Sequence, residues 1–396
     1  MSGQEQIQVH IEPSMSAIDA DGWNACAQAS DITARPGTGF NPFVSYEFLN
    51  ILELAGCVKA ETGWHPQHVV VKDSNGAIAA CMPCYLKGHS QGEYVFDHAW
   101  ADALERTGGN YYPKLQVSVP FSPVTGPRLL VGPGKDVIQY QKAMVDALRQ
   151  LNDHFETSSI HLTFLPEEQW KFLGEEGFLL RKDQQFHWIN KGYASFNEFL
   201  EELSSRKRKA IRREREKAAA TGCTFEWISG DDLTEAHWDA FYEFYQDTSA
   251  RKWGQAYLNR TFFSMLGDSL GKSVVLIMVK HSDRYVAGAL NMIGGGVIYG
   301  RHWGCIEDHP FVHFETCYYQ AIDYAIQNKL MRVEAGAQGP HKLARGYLPV
   351  TTYSAHHITH EGLRNAVAQY LRGEQEHVDI ESRILGEHSP FKKDNS

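Results

Sequence analysis

The same order of elements runs twice along this chain, and that repeat limits the fold more than any single motif does. In the first half, strand signals at 68–72 and 77–87 flank Asp73-Ser74-Asn75-Gly76, a composition that favours a tight hairpin. A strand at 114–119 and a Pro/Gly-rich loop at 122–128 come next. A helix over 137–155, a strand over 160–165, a helix over 167–176, a stop at Gly177 and a strand over 178–189 complete the half. The second half has a hairpin of 274–280 and 285–293 across His281-Ser282-Asp283-Arg284, then a strand at 296–303. A helix at 314–327, a strand at 331–335, and Gly346-Tyr347 echoing Gly177-Phe178 lead into a last strand at 350–358. The repeat lies in the elements and not in residue identity. It predicts two similar α/β units, each with a mixed sheet. With 396 residues the chain exceeds one ordinary core, and the units are expected at 1–192 and 193–396.

The expected join is a helix over 195–221, with Ser195 and Glu198 as an N-terminal capping pair and Gly222 as a stop. Between Ser204 and Lys217, Arg206, Lys207, Arg208, Lys209, Arg212, Arg213, Arg215 and Lys217 face only Glu214 and Glu216, in a chain whose net charge is −10. The overall charge excludes a general nucleic-acid binder but permits a local patch. Arg208, Arg212 and Arg215 are the candidates for binding a polyanion, a nucleic acid included. The alternative is a solvated helix face.

The stretch 314–357 is where a ligand is expected. A helix delivers a strand whose end opens into Gly336-Ala337-Gln338-Gly339-Pro340, followed by the cations His341, Lys342 and Arg345. Open α/β sheets place ligands at such strand ends. An ordinary connection with a solvated basic turn has the same spacing.

Several function classes drop out. The N-terminal MSGQEQIQVHIEP lacks the basic and apolar regions of a secretory signal, and no apolar run reaches membrane-span length, so a cytoplasmic protein is expected. Seven scattered cysteines fit a reduced compartment, and Cys81 and Cys84 lack partners for a zinc or redox site. His302, His309 and His313 precede Glu315, and His356, His357 and His360 lie downstream, but no HExxH pattern or compact His/acid triad is visible. No metal is expected.

The segments YYPKLQVSVPFSPVTGPRLL at 111–130, SRKRKAIRRERE at 205–216, KWGQAYLNRTFF at 252–263, FETCYYQAIDYAIQNKLMRVEAGAQGPHKLARGYLPVTTYSAHH at 314–357 and SPFK at 389–392 resemble the FemAB-like branch of the GNAT acyltransferase superfamily. That resemblance implies two tandem GNAT-like domains of mixed α/β sheets. It implies transfer of an acyl or aminoacyl group to an amine, that of a peptidoglycan precursor included. The donor would be acyl-CoA or aminoacyl-tRNA, with no tightly bound cofactor. In a GNAT domain the fourth and fifth strands splay and the acyl group enters the gap. Here that sets Arg301, His302 and Trp303 across from Glu334, Ala335 and Gly336.

One departure concerns the phosphate-binding loop of acetyl-CoA-using members. This chain has CIEDHPFVHFE at 305–315, where Glu307 and Asp308 would repel phosphate and Glu315 sits in the first helical turn. In the first half the equivalent loop, 122–128, offers Thr125, Gly126 and Arg128 but loses donors at Pro123 and Pro127.

Acyl transfer needs a proton acceptor, an oxyanion donor and positive charge for the leaving group. Glu334 is the expected base, its pKa raised by burial, with His302 sharing the role. The alternative for Glu334 is a structural salt bridge with Arg332 or Arg345, and for His302 a packed core residue. His341, Lys342 and Arg345 are the anion holders, and backbone near Trp303 the oxyanion donor. Trp303, Glu315, Tyr319, Gln338, Gly339, Thr125 and Arg128 complete the expected substrate contacts. A catalytically degenerate pair that binds tRNA or a peptidoglycan precursor without turnover is the competing reading. A CoA-dependent small-molecule acetyltransferase would share the fold.

Overall fold

The computed structural model describes residues 7–27, 39–253, 256–336 and 339–392. Its strands, in chain order, are β1 (Gln8–Glu12), β2 (Trp64–Pro66), β3 (His68–Lys72), β4 (Ile78–Met82), β5 (Tyr85–Lys87), β6 (Lys114–Val117), β7 (Leu130–Val131) and β8 (Ser159–Leu165). They continue as β9 (Leu179–Ile189), β10 (Thr224–Ser229), β11 (Val274–His281), β12 (Arg284–Gly294), β13 (Val297–Cys305), β14 (Arg332–Glu334) and β15 (Leu348–Ile358). The chain forms two compact units, one of Met1–Thr33, Phe43–Asp183 and Thr352–Asp379, the other of Ala34–Pro42, Gln184–Thr351 and Ile380–Ser396. These are not the contiguous halves 1–192 and 193–396. The last strand of each repeated pattern is the reason. The end of β9 pairs with β14 in the second unit, and the end of β15 pairs with β8 in the first.

In the first unit, β1-β3-β4-β7 form an antiparallel sheet. The Asp73 carboxylate accepts from Asn75 N and Ala77 N, and Gly76 takes φ 80°, which closes the β3–β4 hairpin. The other strands run β15-β8-β6-β5-β2, with only the β6–β8 pair parallel. The helix Val137–His154 presents Tyr140, Met144, Ala147, Leu148 and Leu151 at helical spacing, and they pack with Val69, Val71, Leu115, Ile160 and Leu162. Every residue of β8 is buried. Its period-two alternation sends Ile160 and Leu162 to that core and leaves Ser159, His161 and Thr163 as a polar face.

The second unit has the order β10-β11-β12-β13-β14-β9, antiparallel except where β13 meets β14. Helices cover both faces. On one side Tyr319, Ile322 and Ala325 pack with Ile277, Ala289, Ile298 and Val333. On the other, the helix Glu235–Trp253 lies so close to β13 that a Cβ on Gly304 would sit 2.1 Å from Phe244 O.

Two expected helices differ. The stretch 195–221 is broken into Phe196–Glu202 and Ser205–Ala219. Leu203 is extended at ψ 152° and bridges Phe391, while Ser204 N donates to Pro390 O. A buried Leu203 held by the tail outweighs helical continuity. The helix beginning at Val312 contains a π turn, Glu315–Tyr319, before it resumes as Gln320–Gln327. Among the described residues, no helix is long and apolar enough to cross a membrane.

Candidate active site

The parallel pairing of β13 with β14 covers Val297↔Arg332, Ile298↔Val333 and Tyr299↔Glu334, and stops there. β13 continues to Cys305, whereas the chain beyond Glu334 turns toward β9, with Ala335 N donating to Phe186 O. A gap therefore opens between two strands that were adjacent. A bulge lies on its β13 side: Asn291 opposes Gly300 and Leu290 opposes His302, so Arg301 is the extra residue. Such an insertion re-aims a side chain. Arg301 Nη2 lies 3.6 Å from Glu334 Oε2, and Arg332 Nη2 lies 2.9 Å from Glu334 Oε1.

Glu334 is fully buried. Burial alone would push its carboxyl up, but His187, Arg332 and Arg301 pull it further the other way, and the net shift is down. Burial holds His187 itself near 4, so at neutral pH the two guanidiniums keep Glu334 ionised. The expected upward shift is not there. A buried carboxylate held between two cations is a weak proton acceptor, and the pairs with Arg332 and Arg301 match the salt-bridge alternative for Glu334. Nor does His302 stand beside it. The His302 ring meets Tyr245 of the helix Glu235–Trp253 at 5.1 Å, and burial pushes its pKa down to about 4. The imidazole that faces Glu334 across a strand pair is His187 of β9. Sequence gave no sign of it, because β9 belongs to the other repeat.

The cations after the gap have separate fates. Lys342 is buried and its Nζ donates to Ala335 O and Gly336 O at 2.5 and 3.0 Å. No ion pair joins it to a carboxylate among the described residues, and burial pushes its pKa down to about 8, with Arg301 adding to the shift. Arg345 is taken: its guanidinium holds Glu214 at 2.9 Å and lies 3.6 Å over the Phe314 ring. Tyr319 donates its hydroxyl to the same Glu214. His341 is exposed, and its Nε2 is 2.9 Å from the Tyr318 hydroxyl. Burial and then the charges of Arg345 and Lys342 hold its pKa below the ordinary 6.5, so it is neutral at pH 7. Gly339, at φ 118°, leaves room for that ring, which a Cβ would meet at 2.3 Å. Trp303 packs on His313, and Gln338 lies outside the described residues.

Arg215 does not face solvent as a free cation. It binds Glu315 at 2.8 Å and Asp323 at 2.7 Å, and lies 4.4 Å over Phe196. Glu315 is thereby a partner of the basic helix, with Gln320 donating to it as well. Arg208 is half-buried and Arg212 exposed. In the first unit, Arg128 is fully buried and donates to Val124 O, Gly126 O and Pro127 O, which braces its own loop. Thr125 is half-buried on that loop.

A parallel strand pair that parts beside a π turn, within a mixed sheet covered on both faces, fits the GNAT-like fold that the sequence resemblance implied. The chain belongs to the FemAB-like family, described as peptidoglycan biosynthesis/recognition, whose model matches residues 14–393. No curated protein matches it by sequence. Among solved structures it is similar to FemX, with a TM-score of 0.53 and 12% identity over 89% of this chain and 98% of that one. It is also similar to a conserved protein of unknown function from Bacteroides thetaiotaomicron, with a TM-score of 0.52 and 12% identity over 88% and 99% of the two chains. L-PGS from Bacillus licheniformis gives a TM-score of 0.50 and 10% identity over 81% and 95%. At such identities the likeness is one of fold.

Proposed function

We propose that this protein is an N-acyltransferase that moves an acyl or aminoacyl group, from acyl-CoA or aminoacyl-tRNA, to an amine of a peptidoglycan precursor. The observation that carries the reading is the gap between β13 and β14, with a neutral exposed imidazole and a carboxylate-free buried ammonium beside it. In this scheme the acceptor amine attacks the acyl carbonyl while His341, steadied by Tyr318, takes the amine proton. Peptide N–H groups of β13 beyond Tyr299, which β14 does not pair, stabilise the oxyanion. The new C–N bond forms as the donor's C–S or C–O bond breaks, and Lys342 holds the anionic leaving group. Glu334 fixes Arg301 and Arg332 and moves no proton.

The family membership supports peptidoglycan-related chemistry, and the exposed Arg206, Lys209, Arg212 and Arg213 support a tRNA-borne donor. That cationic face equally suits a non-catalytic binder of tRNA. The test is label transfer from charged tRNA or acyl-CoA to a precursor peptide with a free amine. His341→Asn should lower kcat about 10²–10⁴-fold, and Lys342→Met should mainly raise KM for the donor. Full turnover by His341→Asn would remove the base assignment. Salt-dependent RNA binding with no transfer from any donor would establish the binder.

A further inference from the structure

Away from the gap, three ligand-type side chains meet beside the β11–β12 hairpin. His281 ends β11, and Glu307 and His309 lie between β13 and the helix that begins at Val312. His281 Nδ1 is 3.2 Å from Glu307 Oε2, and His309 Nε2 is 2.9 Å from that same oxygen. The three ligand atoms all fall within 4.8 Å of one another. Arg284 donates to the other carboxylate oxygen, Oε1, and so fixes which one faces the imidazoles. The side chains of His281, Glu307 and His309 are 35%, 30% and 18% exposed, which keeps the cluster open to ions from solvent.

Two imidazole nitrogens and one carboxylate oxygen suit a late first-row divalent ion, whereas magnesium and calcium favour oxygen-only shells. Metal–donor distances of about 2.0–2.1 Å set tetrahedral donors about 3.3 Å apart. The 3.2 and 2.9 Å spacings already approach that arrangement. A simple ion pair would account for Arg284 on Glu307, but it does not require two imidazoles converging on the remaining oxygen. We propose that His281, Glu307 and His309 form a binding site for a zinc-class divalent ion, with its fourth position open to water. Bound there, the ion would tie the hairpin to the segment that enters the helix carrying the π turn, and so stiffen one wall of the gap.

The experiment uses the full chain after chelator treatment, titrated with zinc(II) by calorimetry and with cobalt(II) by visible absorption. One ion per chain is expected, with a d–d band and no thiolate charge-transfer band. At a hundredfold excess over Kd the thermal midpoint should rise by about 5–10 °C. His309→Gln should weaken binding at least about tenfold, and His281→Gln/His309→Gln should abolish it. Cys305→Ser should bind as the wild type does. Three results would overturn the site: no binding tighter than about 100 µM, undiminished binding by the folded double variant, or loss of binding in Cys305→Ser.

Discussion

Glu334→Gln separates a structural carboxylate from a catalytic one, because the substitution keeps shape and removes charge. Wild-type Glu334 is 0% exposed, and the Arg301 side chain opposite it is 3% exposed, so neither ion is screened by water. Arg332 is 25% exposed and loses less. Removing one partner of a buried pair costs about 3–5 kcal/mol, because the remaining charge keeps its desolvation penalty. With a urea slope of about 2 kcal/mol/M, the unfolding midpoint should fall by roughly 1.5–2.5 M. The sign of the pH dependence follows from the downward shift. The folded-state pKa lies below the ordinary 4.5, so the stabilisation is complete above 4.5 and is lost as pH falls through the folded value. Wild type and variant should therefore differ most near neutrality and converge in acid. Glu334→Gln/Arg301→Met, which removes the pair together, should recover much of the loss. A midpoint shift under about 0.3 M would refute the account, since about 0.6 kcal/mol is what an exposed pair is worth. Loss of transfer at an unchanged midpoint would return Glu334 to the chemistry.

Four further outcomes follow. Lys114→Met in the first unit strips the cation that lies 2.6 Å from Glu93 and 2.5 Å from Asp97, all three buried, and should cost about 3–5 kcal/mol by denaturant unfolding. Gly304→Ala drives a methyl into the Phe244 carbonyl and should destabilise by about 1–3 kcal/mol or more, seen as a lower thermal midpoint. Arg208→Gln/Arg212→Gln should reduce the salt slope of RNA binding by roughly 1.4–1.8, the release of two counterions. Arg215→Gln should instead lower stability, because it abandons Glu315 and Asp323.

Local chemistry was legible in the sequence. The Asp73–Gly76 turn, the stripe of the helix Val137–His154 and the β13 and β14 segments follow from composition and period, which act over a few residues. What was not legible depends on partners far along the chain. Leu203 breaks a good helical run because Phe391 and Pro390 offer it a bridge. The closing strands β9 and β15 read as ends of their own repeats but pair with β14 and β8, so a boundary drawn between repeats falls in the wrong place. His281 joins Glu307 and His309 only through the hairpin, so the spacing of histidines along the chain does not mark it. The expected rise in the Glu334 pKa failed for a further reason. Burial was inferred correctly, but its consequence for the pKa depends on which charges are buried with it, and the bulge that turns Arg301 inward has no sequence mark.

The basic helix carries the same lesson into function. Counted along the sequence, Glu214 is a small offset to a large cationic surplus. In the folded chain it is the residue on which Arg345 and Tyr319 converge, while Arg215 reaches Glu315 and Asp323. These contacts fasten the helix Ser205–Ala219 both to the helix bearing the π turn and to the turn Pro340–Arg345 that presents His341 and Lys342. The cations on the exposed side include Arg206, Lys209, Arg212 and Arg213. A polyanion drawn to that side would press on a helix already anchored, through Glu214 and Arg345, to the walls of the gap. A charged donor docked there, as proposed, would share this anchored helix with the proposed base. Glu214→Gln should accordingly uncouple them, leaving the salt slope of RNA binding near the wild-type value while lowering kcat for transfer. An unchanged kcat in Glu214→Gln would mean that the helix and the gap act apart from this contact.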